Sequence, residues 1–488
     1  MKMKLLLPLL LLAQIVQAQS FSELPQSPPL MGVEFSSIAL ADVDGDTDQD
    51  LIITGLGDAG PSSTLYLNDG SGQFTKLPNP PFSNVLLGAV AFADIDGDED
   101  QDLLITGLIT GPGPIAELYV NDGTGQFTEA ERTPFEGVEN GSIAFADIDN
   151  DEDQDVLITG NTGSRLLSRI YLNDGLGQFS NALTNPLAAM YLDAVGFADV
   201  NNDQAPDLLM IGQSSTNGKV AQLRLNNGSG EFALQFNTPF EPFVSGALAF
   251  ADVDGDEDQD VCITSPEPSA SGGRISKLYT NDGFGLFTEM ADSSLRQVAG
   301  EALAFADLDQ DGDQDLLLTG KDQTKTMAVS KLYINDGTGR LTEVMDSIFE
   351  DVSSGSVAFA DIDGDGDQDV LMTGRNNAGE KVAKIYRNNA LMTSTVSSPR
   401  SPADLLTIHP NPITNKELHI DFGGEEMEAI DLSIFDLQGR LLIRQKETLS
   451  LGQLTVRVDA LQSGQYVMEC RGETGWTARE QFVILSKN

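Results

Sequence analysis

Residues Asp361–Asp369 read DIDGDGDQD, with a carboxylate at every second position of a nine-residue stretch. These groups repel one another at neutral pH, so a folded chain needs positive charge among them. Hard divalent cations, Ca²⁺ above all, take about six to eight oxygen ligands, and a loop of this kind can wrap such an ion. Glycine or asparagine at the fourth position and glycine at the sixth ease the tight turns. One copy alone fits a solvated or disordered acidic loop equally well.

The stretch recurs seven times, at intervals of 52 to 55 residues. Acidic runs that only keep a chain soluble have no reason to repeat with such a period, so the period favours calcium loops. An EF-hand is excluded as the main interpretation, because position 12 of the first loop is Ile53 and not glutamate. We number the loops 1 to 7; they begin at Asp42, Asp94, Asp147, Asp199, Asp252, Asp307 and Asp361.

The repeating unit predicts a four-stranded sheet. In the third unit the segments SIAFAD, DVLITG and RIYLN are short, apolar and β-prone, Asn-Asp-Gly is a hairpin turn signal, and GQF supplies a fourth strand. Segments that are apolar on both faces suit sheets packed face to face. Seven such sheets arranged radially form an all-β, seven-bladed β-propeller over residues 19–390. The alternative is an open solenoid of calcium-binding repeats.

The two ends of the repeat array favour a closed ring. The seventh unit stops at its third strand and lacks a GQF strand, whereas residues 20–30, SFSELPQSPPL, match residues 72–82, GQFTKLPNPPF. We predict that an N-terminal strand around Phe21 completes the seventh blade, which removes exposed sheet edges.

Composition and the first residues predict an exported protein. The chain has 488 residues, of which 40% are hydrophobic, and its net charge of −47 makes nucleic-acid binding improbable. Residues 1–18 have two lysines, an apolar run and Val-Gln-Ala, which predicts a secretory signal peptide cleaved after Ala18. That run is too short for an ordinary membrane span, and no later stretch reaches the required length.

The pattern F-A-D-x-D-x-D-x-D-Q-D followed by L-Y-x-N-D-G-x-G-x-F resembles the FG-GAP/VCBS repeats, which are related to the propeller of integrin α chains. The resemblance implies up to seven bound Ca²⁺ ions, held by the side chains at loop positions 1, 3, 5 and 9. These residues are Asp42, Asp44, Asp46 and Asp50; Asp94, Asp96, Asp98 and Asp102; Asp147, Asp149, Asp151 and Asp155; Asp199, Asn201, Asp203 and Asp207; Asp252, Asp254, Asp256 and Asp260; Asp307, Asp309, Asp311 and Asp315; and Asp361, Asp363, Asp365 and Asp369.

Loop 4 departs from the other loops. The resemblance implies that position 7 donates only its backbone carbonyl, which agrees with Ala205 at that position in the loop 4 sequence DVNNDQAPD. Loop 4 carries three acidic residues where the others carry five or six, so we expect weaker calcium binding there. The same repeat has Arg224 where the other six have tyrosines, which we interpret as packing residues.

The last part of the chain is predicted to be a separate domain. Residues 391–403 are rich in Ser, Thr and Pro and predict a linker. Residues 404–488 alternate apolar residues with turn signals and predict a small β-sandwich. The motifs HPNP at 409–412, IFDLQGR at 434–440 and LQSGQY at 461–466 resemble the C-terminal sorting domain of type IX secretion. That resemblance implies translocation across the outer membrane, followed by release or surface attachment. The alternative is an ordinary adhesion module.

The residue types disfavour an enzyme. Both histidines, His409 and His419, lie in the tail, so the repeats contain neither a Ser-His-Asp triad nor a histidine-ligated zinc site. Carboxylate-pair hydrolysis stays open by counting, but nearly all the aspartates have calcium spacing. We therefore predict adhesion or ligand binding at the cell surface, without catalysis, with a polysaccharide or a matrix or cell-surface protein as the ligand. The alternatives are a secreted polymer-degrading enzyme, a noncatalytic subunit of one, or a structural surface-layer component.

The predicted propeller has two distinct faces. The calcium loops and Asn-Asp-Gly turns share one, the metal face, whereas the second-to-third and blade-to-blade connections share the other, the opposite face, which binds ligand in the integrin relatives. We predict that cations of the last three blades bind an anionic partner such as an acidic polysaccharide, with Tyr191 and Phe243 as exposed contacts. The alternative is that these cations only offset local acid. The candidates are Arg274, Lys277, Lys321, Lys325, Lys331, Arg375 and Lys381.

Overall fold

The computed structural model describes residues 21–182, 187–268, 274–290, 295, 298–322, 326–345, 347–389, 407–409, 417–421, 430–436, 440–447, 453–458, 461, 464–472 and 477–484. The chain forms two compact units, Met1–Ala390 and Leu391–Asn488. The predicted signal peptide and linker lie outside the described residues, as does Lys325. Every described regular element is a β-strand, which confirms the predicted all-β class.

The described residues of the first unit form 29 strands. In chain order they are β1 (Phe21–Glu23), β2 (Glu34–Ala41), β3 (Asp50–Gly57), β4 (Gly60–Leu67), β5 (Thr75–Lys76), β6 (Val90–Ala93), β7 (Asp102–Ile109), β8 (Gly113–Val120), β9 (Thr128–Glu129), β10 (Ile143–Ala146), β11 (Asp155–Asn161), β12 (Leu166–Leu172), β13 (Ser180–Asn181), β14 (Met190–Ala198), β15 (Asp207–Ser214), β16 (Gly218–Asn226), β17 (Phe232–Leu234), β18 (Ala247–Ala251), β19 (Asp260–Pro268), β20 (Arg274–Thr280), β21 (Thr288–Glu289), β22 (Ala299–Ala306), β23 (Asp315–Lys321), β24 (Ala328–Ile334), β25 (Thr342–Glu343), β26 (Val352–Ser353), β27 (Val357–Ala360), β28 (Asp369–Asn376) and β29 (Lys381–Asn388).

Each repeat forms an antiparallel sheet, which we call a blade and number by its repeat. The strands of a blade follow chain order, as in β2-β3-β4-β5 and β6-β7-β8-β9. Blades 3 and 4 are joined into one sheet by the single pair Leu167 and Met190. The acidic loop of every blade connects its first strand to its second, so the ninth loop residue opens the second strand.

The first strands contact one another in a closed cycle. β2 contacts β6, β6 contacts β10, and the series continues through β14, β18, β22 and β27, which contacts β2 again. As predicted, the N-terminal strand β1 completes blade 7: Phe21 pairs with Asn388 and Glu23 pairs with Tyr386. The Phe21 ring also packs against Phe349 at a centroid distance of 4.9 Å. The first and last described strands of this unit are therefore held in one sheet, where β1 covers the edge of β29.

The core lies between neighbouring blades. Second strands are buried on both faces, as in Leu51, Ile52 and Ile53, because each sheet has another sheet on either side. Each such side chain contributes roughly 1.5–3 kcal/mol to the free energy of unfolding. The six tyrosines of the repeat are buried, as expected of packing residues; the Tyr119 hydroxyl also accepts a hydrogen bond from the Ser83 N–H in the preceding connection.

The prediction that Phe243 is exposed is wrong. Its side chain has no exposed area and packs with Phe240 and Tyr279 in the core between blades 4 and 5. The connection folds inward over Gly246, where a Cβ would lie 2.6 Å from the Phe243 ring. Cys262 is buried in the next core, between blades 5 and 6, and its thiol is free.

The described part of the second unit consists of two sheets around one core. Its strands are β30 (Thr407–His409), β31 (Glu417–Asp421), β32 (Ile430–Asp436), β33 (Leu441–Glu447), β34 (Gln453–Arg457), β35 (Gly464–Gly472) and β36 (Thr477–Ile484). The sheet orders are β30-β31-β34 and β33-β32-β35-β36. Leu418 of the first sheet and Ile434 and Met468 of the second belong to one buried cluster, which is the arrangement of a β-sandwich.

Candidate metal centres

The first carboxylate of each acidic loop holds the loop backbone in place. In loop 1, Asp42 Oδ1 accepts the Gly45 N–H at 2.8 Å and Oδ2 accepts the Thr47 N–H at 2.8 Å. In all seven loops, one oxygen of this residue accepts an N–H from position 4 or 5 and the other accepts the N–H of position 6. The loop geometry is therefore set by hydrogen bonds within the loop.

The backbone is left-handed at positions 4 and 6 of every loop. Position 4 is glycine, asparagine or glutamine, as in Gly45 and Gln310. Position 6 is glycine only in loops 6 and 7; Thr47 and Glu99 adopt φ of 77° and 72° at the same place. A left-handed residue other than glycine costs about 1–2 kcal/mol. The bond from the position 6 N–H to the first carboxylate offsets part of that cost.

Carboxylates of three positions converge in at least five of the loops. One oxygen each from positions 1, 3 and 9 lies within 4.8 Å of the others in loops 1, 2, 3 and 5. In loop 6 the converging residues are Asp307, Asp309 and Asp311. Three of the predicted ligand residues in each of these loops therefore lie close to one another.

The third-position carboxylate has a buried oxygen with no hydrogen-bond partner. This holds in five loops, and the atoms are Oδ1 of Asp44, Asp96, Asp149, Asp254 and Asp363. Burial, and then the neighbouring loop carboxylates, raise the pKa of each of these groups. A buried and unpartnered carboxylate oxygen is costly unless a cation completes its shell. The donor set therefore fits a hard divalent ion.

The fifth-position carboxylate is turned toward the backbone in this structure. Asp46 Oδ1 accepts the N–H of Asp48 at 3.0 Å, and the same bond from position 7 to position 5 occurs in all seven loops. Position 5 does not belong to the converging trio in loops 1, 2, 3 and 5, whereas in loop 6 Asp311 makes this bond and also belongs to the trio. Its role as a ligand stays a prediction.

The ninth-position carboxylate is fully buried and joins the ends of three strands. Asp50 Oδ2 accepts the Val43 N–H at 3.0 Å, and Oδ1 accepts the Asn68 N–H at 2.8 Å. The same pair of bonds occurs in every blade. Each oxygen keeps a further lone pair, so the group can hold the loop and bind a cation at the same time.

Burial raises the pKa of the Asp50 carboxyl to about 7 even though both oxygens accept backbone N–H groups. The ninth residues of the other loops are raised to about 7 or 8 for the same reason. Because the folded pKa lies above the unfolded value, the metal-free fold gains stability as pH falls from about 7 toward 4. A bound cation removes this gain by stabilising the ionised carboxylate.

An asparagine links every acidic loop to the next blade. Asn121 Nδ2 of blade 2 donates to the Val43 carbonyl of loop 1 at 2.8 Å, while the Asn121 N–H donates to Asp102 of its own blade. Asn68 of blade 1 closes the cycle by donating to the Ile362 carbonyl of loop 7. We call this cycle of hydrogen bonds the asparagine ring. Its members are Asn68, Asn121, Asn173, Asn226, Asn281, Asn335 and Asn388.

Sequence reasoning missed the asparagine ring. The Asn-Asp-Gly segment had been interpreted only as a hairpin turn. The asparagine is present in all seven repeats, whereas the aspartate after it becomes asparagine at 227 and 389. That difference within the chain was a signal that the asparagine does more than turn the backbone.

Loop 4 has fewer acidic residues than the other loops, and the side chain at its third position has a hydrogen-bond partner. Asn201, at the third position, uses Oδ1 to accept the N–H of Asp203 at 3.0 Å. Ala205 at position 7 is buried, and Asp207 keeps both of its backbone bonds. The prediction of weaker calcium binding at loop 4 still stands on its smaller charge.

Most candidate cations of the opposite face already contact carboxylates. Lys277 lies mid-strand and contacts Glu241 at 2.7 Å and Glu289 at 2.9 Å. Lys331 contacts Glu343 at 3.1 Å and Lys321 lies 3.9 Å from Glu301. These pairs favour the alternative that the cations offset local acid.

Two other candidates join blade 7 to blade 1. Arg375 and Lys381 lie 3.0 Å and 3.8 Å from the buried carboxylate of Glu34, and Lys381 Nζ also donates to the Gly57 carbonyl. The backbone of Arg274 begins β20, and its side chain, like all of Lys325, lies outside the description. Tyr191 is half-buried in β14.

A cycle of four-stranded sheets, each with an acidic loop after its first strand, defines a repeat-built β-propeller. A model of the FG-GAP-like repeat matches residues 42–105, 108–158, 147–210, 199–263, 252–318 and 307–372. These matches cover most of the chain and include all seven loops, so the chain belongs to the FG-GAP-like repeat family.

The tail matches a model of the secretion system C-terminal sorting domain at residues 407–485. This domain implies handling by the type IX secretion system and delivery to the cell surface or the extracellular space. Neither matched family is a catalytic one. Among the described residues there is no helix long and apolar enough to cross a membrane.

Similar solved structures come from B. thetaiotaomicron. The extracellular domain of BT3049, assigned as a hybrid two-component system, is 10% identical with a TM-score of 0.44, over 96% of this chain and 58% of that one. The corresponding domain of BT4673 is 12% identical with a TM-score of 0.39, over 94% and 57%. A protein assigned as a glycosidase is 10% identical with a TM-score of 0.29, over 74% and 87%. This chain thus spans under two thirds of the two extracellular domains. No curated protein sequence matches it.

Proposed function

We propose that this protein is a calcium-stabilised propeller that binds a ligand at the cell surface and catalyses no reaction. The observation that carries the calcium part is the unpartnered third-position oxygen, buried beside two other converging carboxylates in loops 1, 2, 3 and 5. Ca²⁺ fits because every donor there is an oxygen and the loops offer carboxylates in excess.

The role proposed for calcium is structural. Each loop is bonded to the asparagine of the next blade, so an ion that fixes one loop also fixes the contact between two blades. Seven such contacts form a cycle, which includes the junction between blades 7 and 1. Calcium would therefore stabilise the ring as a whole, and the opposite face would stay free for ligand.

We propose that ligand binds the opposite face at blades 5 to 7, with an acidic polysaccharide as the partner class. Lys321 is the best-supported contact, because its side chain is 39% exposed and its carboxylate neighbour lies at the limit of an ion pair. Lys277 and Lys381 are better explained as structural, since each contacts two carboxylates.

The test is binding to a panel of acidic polysaccharides in millimolar calcium. Reversing charge in the double variant Lys321→Glu and Lys325→Glu should weaken the binding about tenfold or more, because two attractive contacts become repulsive. Arg340→Glu, on the metal face, is the matched control and should bind like the wild type. If the double variant bound as well as Arg340→Glu, or if the wild type bound none of the polysaccharides, the proposal of an anionic ligand would be wrong.

A further inference from the structure

Loop 7 has a cation of the chain itself beside a candidate metal ligand. Arg387 Nε lies 2.6 Å from Oδ2 of Asp363, the third-position carboxylate, whose side chain is only 7% exposed. Nε has no aligned hydrogen-bond acceptor, so the contact is electrostatic in character. The other end of the guanidinium donates from Nη2 to the Ser71 carbonyl in the turn of blade 1 at 3.2 Å.

The repeat shows that this arginine is a departure. Arg387 directly precedes the asparagine-ring residue of blade 7, and the other six blades have an uncharged residue there. Those residues are Leu67, Val120, Leu172, Leu225, Thr280 and Ile334. No packing requirement shared by the blades therefore explains a guanidinium at this place.

We propose that Arg387 is a built-in cation of loop 7, which offsets part of the loop charge without metal and lowers its affinity for calcium. A fixed positive charge beside Asp363 attracts that carboxylate and repels an incoming divalent ion. Loop 7 would then stay ordered at calcium concentrations that leave the other acidic loops empty. This inference rests on the proposed calcium binding.

Arg387 lies at the junction that closes the ring of blades. The junction between blades 7 and 1 joins chain segments that are more than 300 residues apart, and Arg387 crosses it to reach Ser71. The junction is closed on the opposite face by Arg375 and Glu34. Arginines thus hold this junction at both faces, independently of metal.

The experiment measures calcium binding by equilibrium dialysis of the full chain, together with melting in chelator. In Arg387→Leu, which matches blades 1, 3 and 4, one site should gain about tenfold in affinity, because a repulsive charge is lost. Its melting temperature in chelator should fall below that of the wild type, and calcium should raise it by more. Arg340→Leu removes a charge from the same face and should change neither quantity.

Identical isotherms for the wild type and Arg387→Leu would overturn the inference while leaving calcium binding at the other loops intact. If Arg387→Leu does not fold, Arg387→Gln serves, because its amide can still donate to the Ser71 carbonyl. An unchanged isotherm for that variant would equally overturn the inference. A wild type that binds no calcium at any loop would instead contradict the proposed function itself.

Discussion

Removing calcium with a chelator should lower the melting temperature of the propeller by roughly 9–13 °C. At 1 mM calcium, a site with a Kd near 10⁻⁴ M contributes about 1.4 kcal/mol, so the five tighter sites contribute about 7 kcal/mol, and the weaker sites of loops 4 and 7 raise the total to at most about 10 kcal/mol. A unit of this size has an unfolding entropy of roughly 0.8 kcal/mol per degree, which converts that free energy into the expected shift. Differential scanning calorimetry of the full chain, with calcium and then with chelator, measures it.

The second unit serves as an internal control for this result. Its sheets contain none of the seven acidic loops, so any separate transition of that unit should not move on chelation. Adding magnesium after the chelator should restore less stability than adding calcium, because Mg²⁺ demands a stricter geometry and gives up its water reluctantly. A propeller transition that stays at the same temperature in chelator would contradict the account of the acidic loops.

Substitutions at positions 3 and 9 of one loop should differ in how they depend on calcium. Asp102→Ala removes the acceptor of two buried backbone N–H groups, those of Ile95 and Asn121, and should lower the free energy of unfolding by about 2–6 kcal/mol in chelator. In calcium the loss should be larger, because a ligand of the same site is also removed. Asp96→Asn changes a carboxylate whose Oδ1 has no partner. It should destabilise in calcium but stabilise slightly in chelator, since a desolvated charge is lost.

Urea unfolding of both variants in calcium and in chelator makes this comparison. Glu99→Gln is a matched control, because it removes a carboxylate charge of the same loop at an exposed side chain that is not among the predicted ligands. If Asp96→Asn destabilised the protein equally in both conditions, the third-position carboxylate would have a purely structural role. The metal assignment for loop 2 would then be wrong.

The all-β class and the completing strand at Phe21 could be predicted because both are periodic properties of the chain. The spacing of the acidic loops, the apolar segments and the missing GQF strand all recur along the sequence, so alignment of the repeats reveals them. The ligand positions 1, 3, 5 and 9 are implied by the resemblance to FG-GAP/VCBS repeats, and the structure brings positions 1, 3 and 9 together in loops 1, 2, 3 and 5. Positions 4 and 6 were also predicted to need unusual turns, although glycine proved dispensable at position 6 in five loops.

What could not be predicted depends on contacts between distant repeats. Asn68 meets Ile362 and Arg375 meets Glu34, pairs that are about 300 residues apart or more, and no local pattern indicates them. The basic residues looked available for a ligand because the sequence does not show which carboxylates lie beside them. Phe243 looked exposed because a blade-to-blade connection folds inward only where Gly246 lets it approach.

The central claim is that the acidic loops are calcium sites, and the most direct test is to count bound calcium. Equilibrium dialysis of the full chain with radioactive calcium at about 0.15 M salt screens non-specific attraction to acidic surfaces. We expect saturable binding, with roughly five ions per chain held tightly and the ions of loops 4 and 7 held more weakly. In the variant Asp96→Asn, one tight site should be lost. Binding that does not saturate, or that disappears at this salt concentration, would contradict the account.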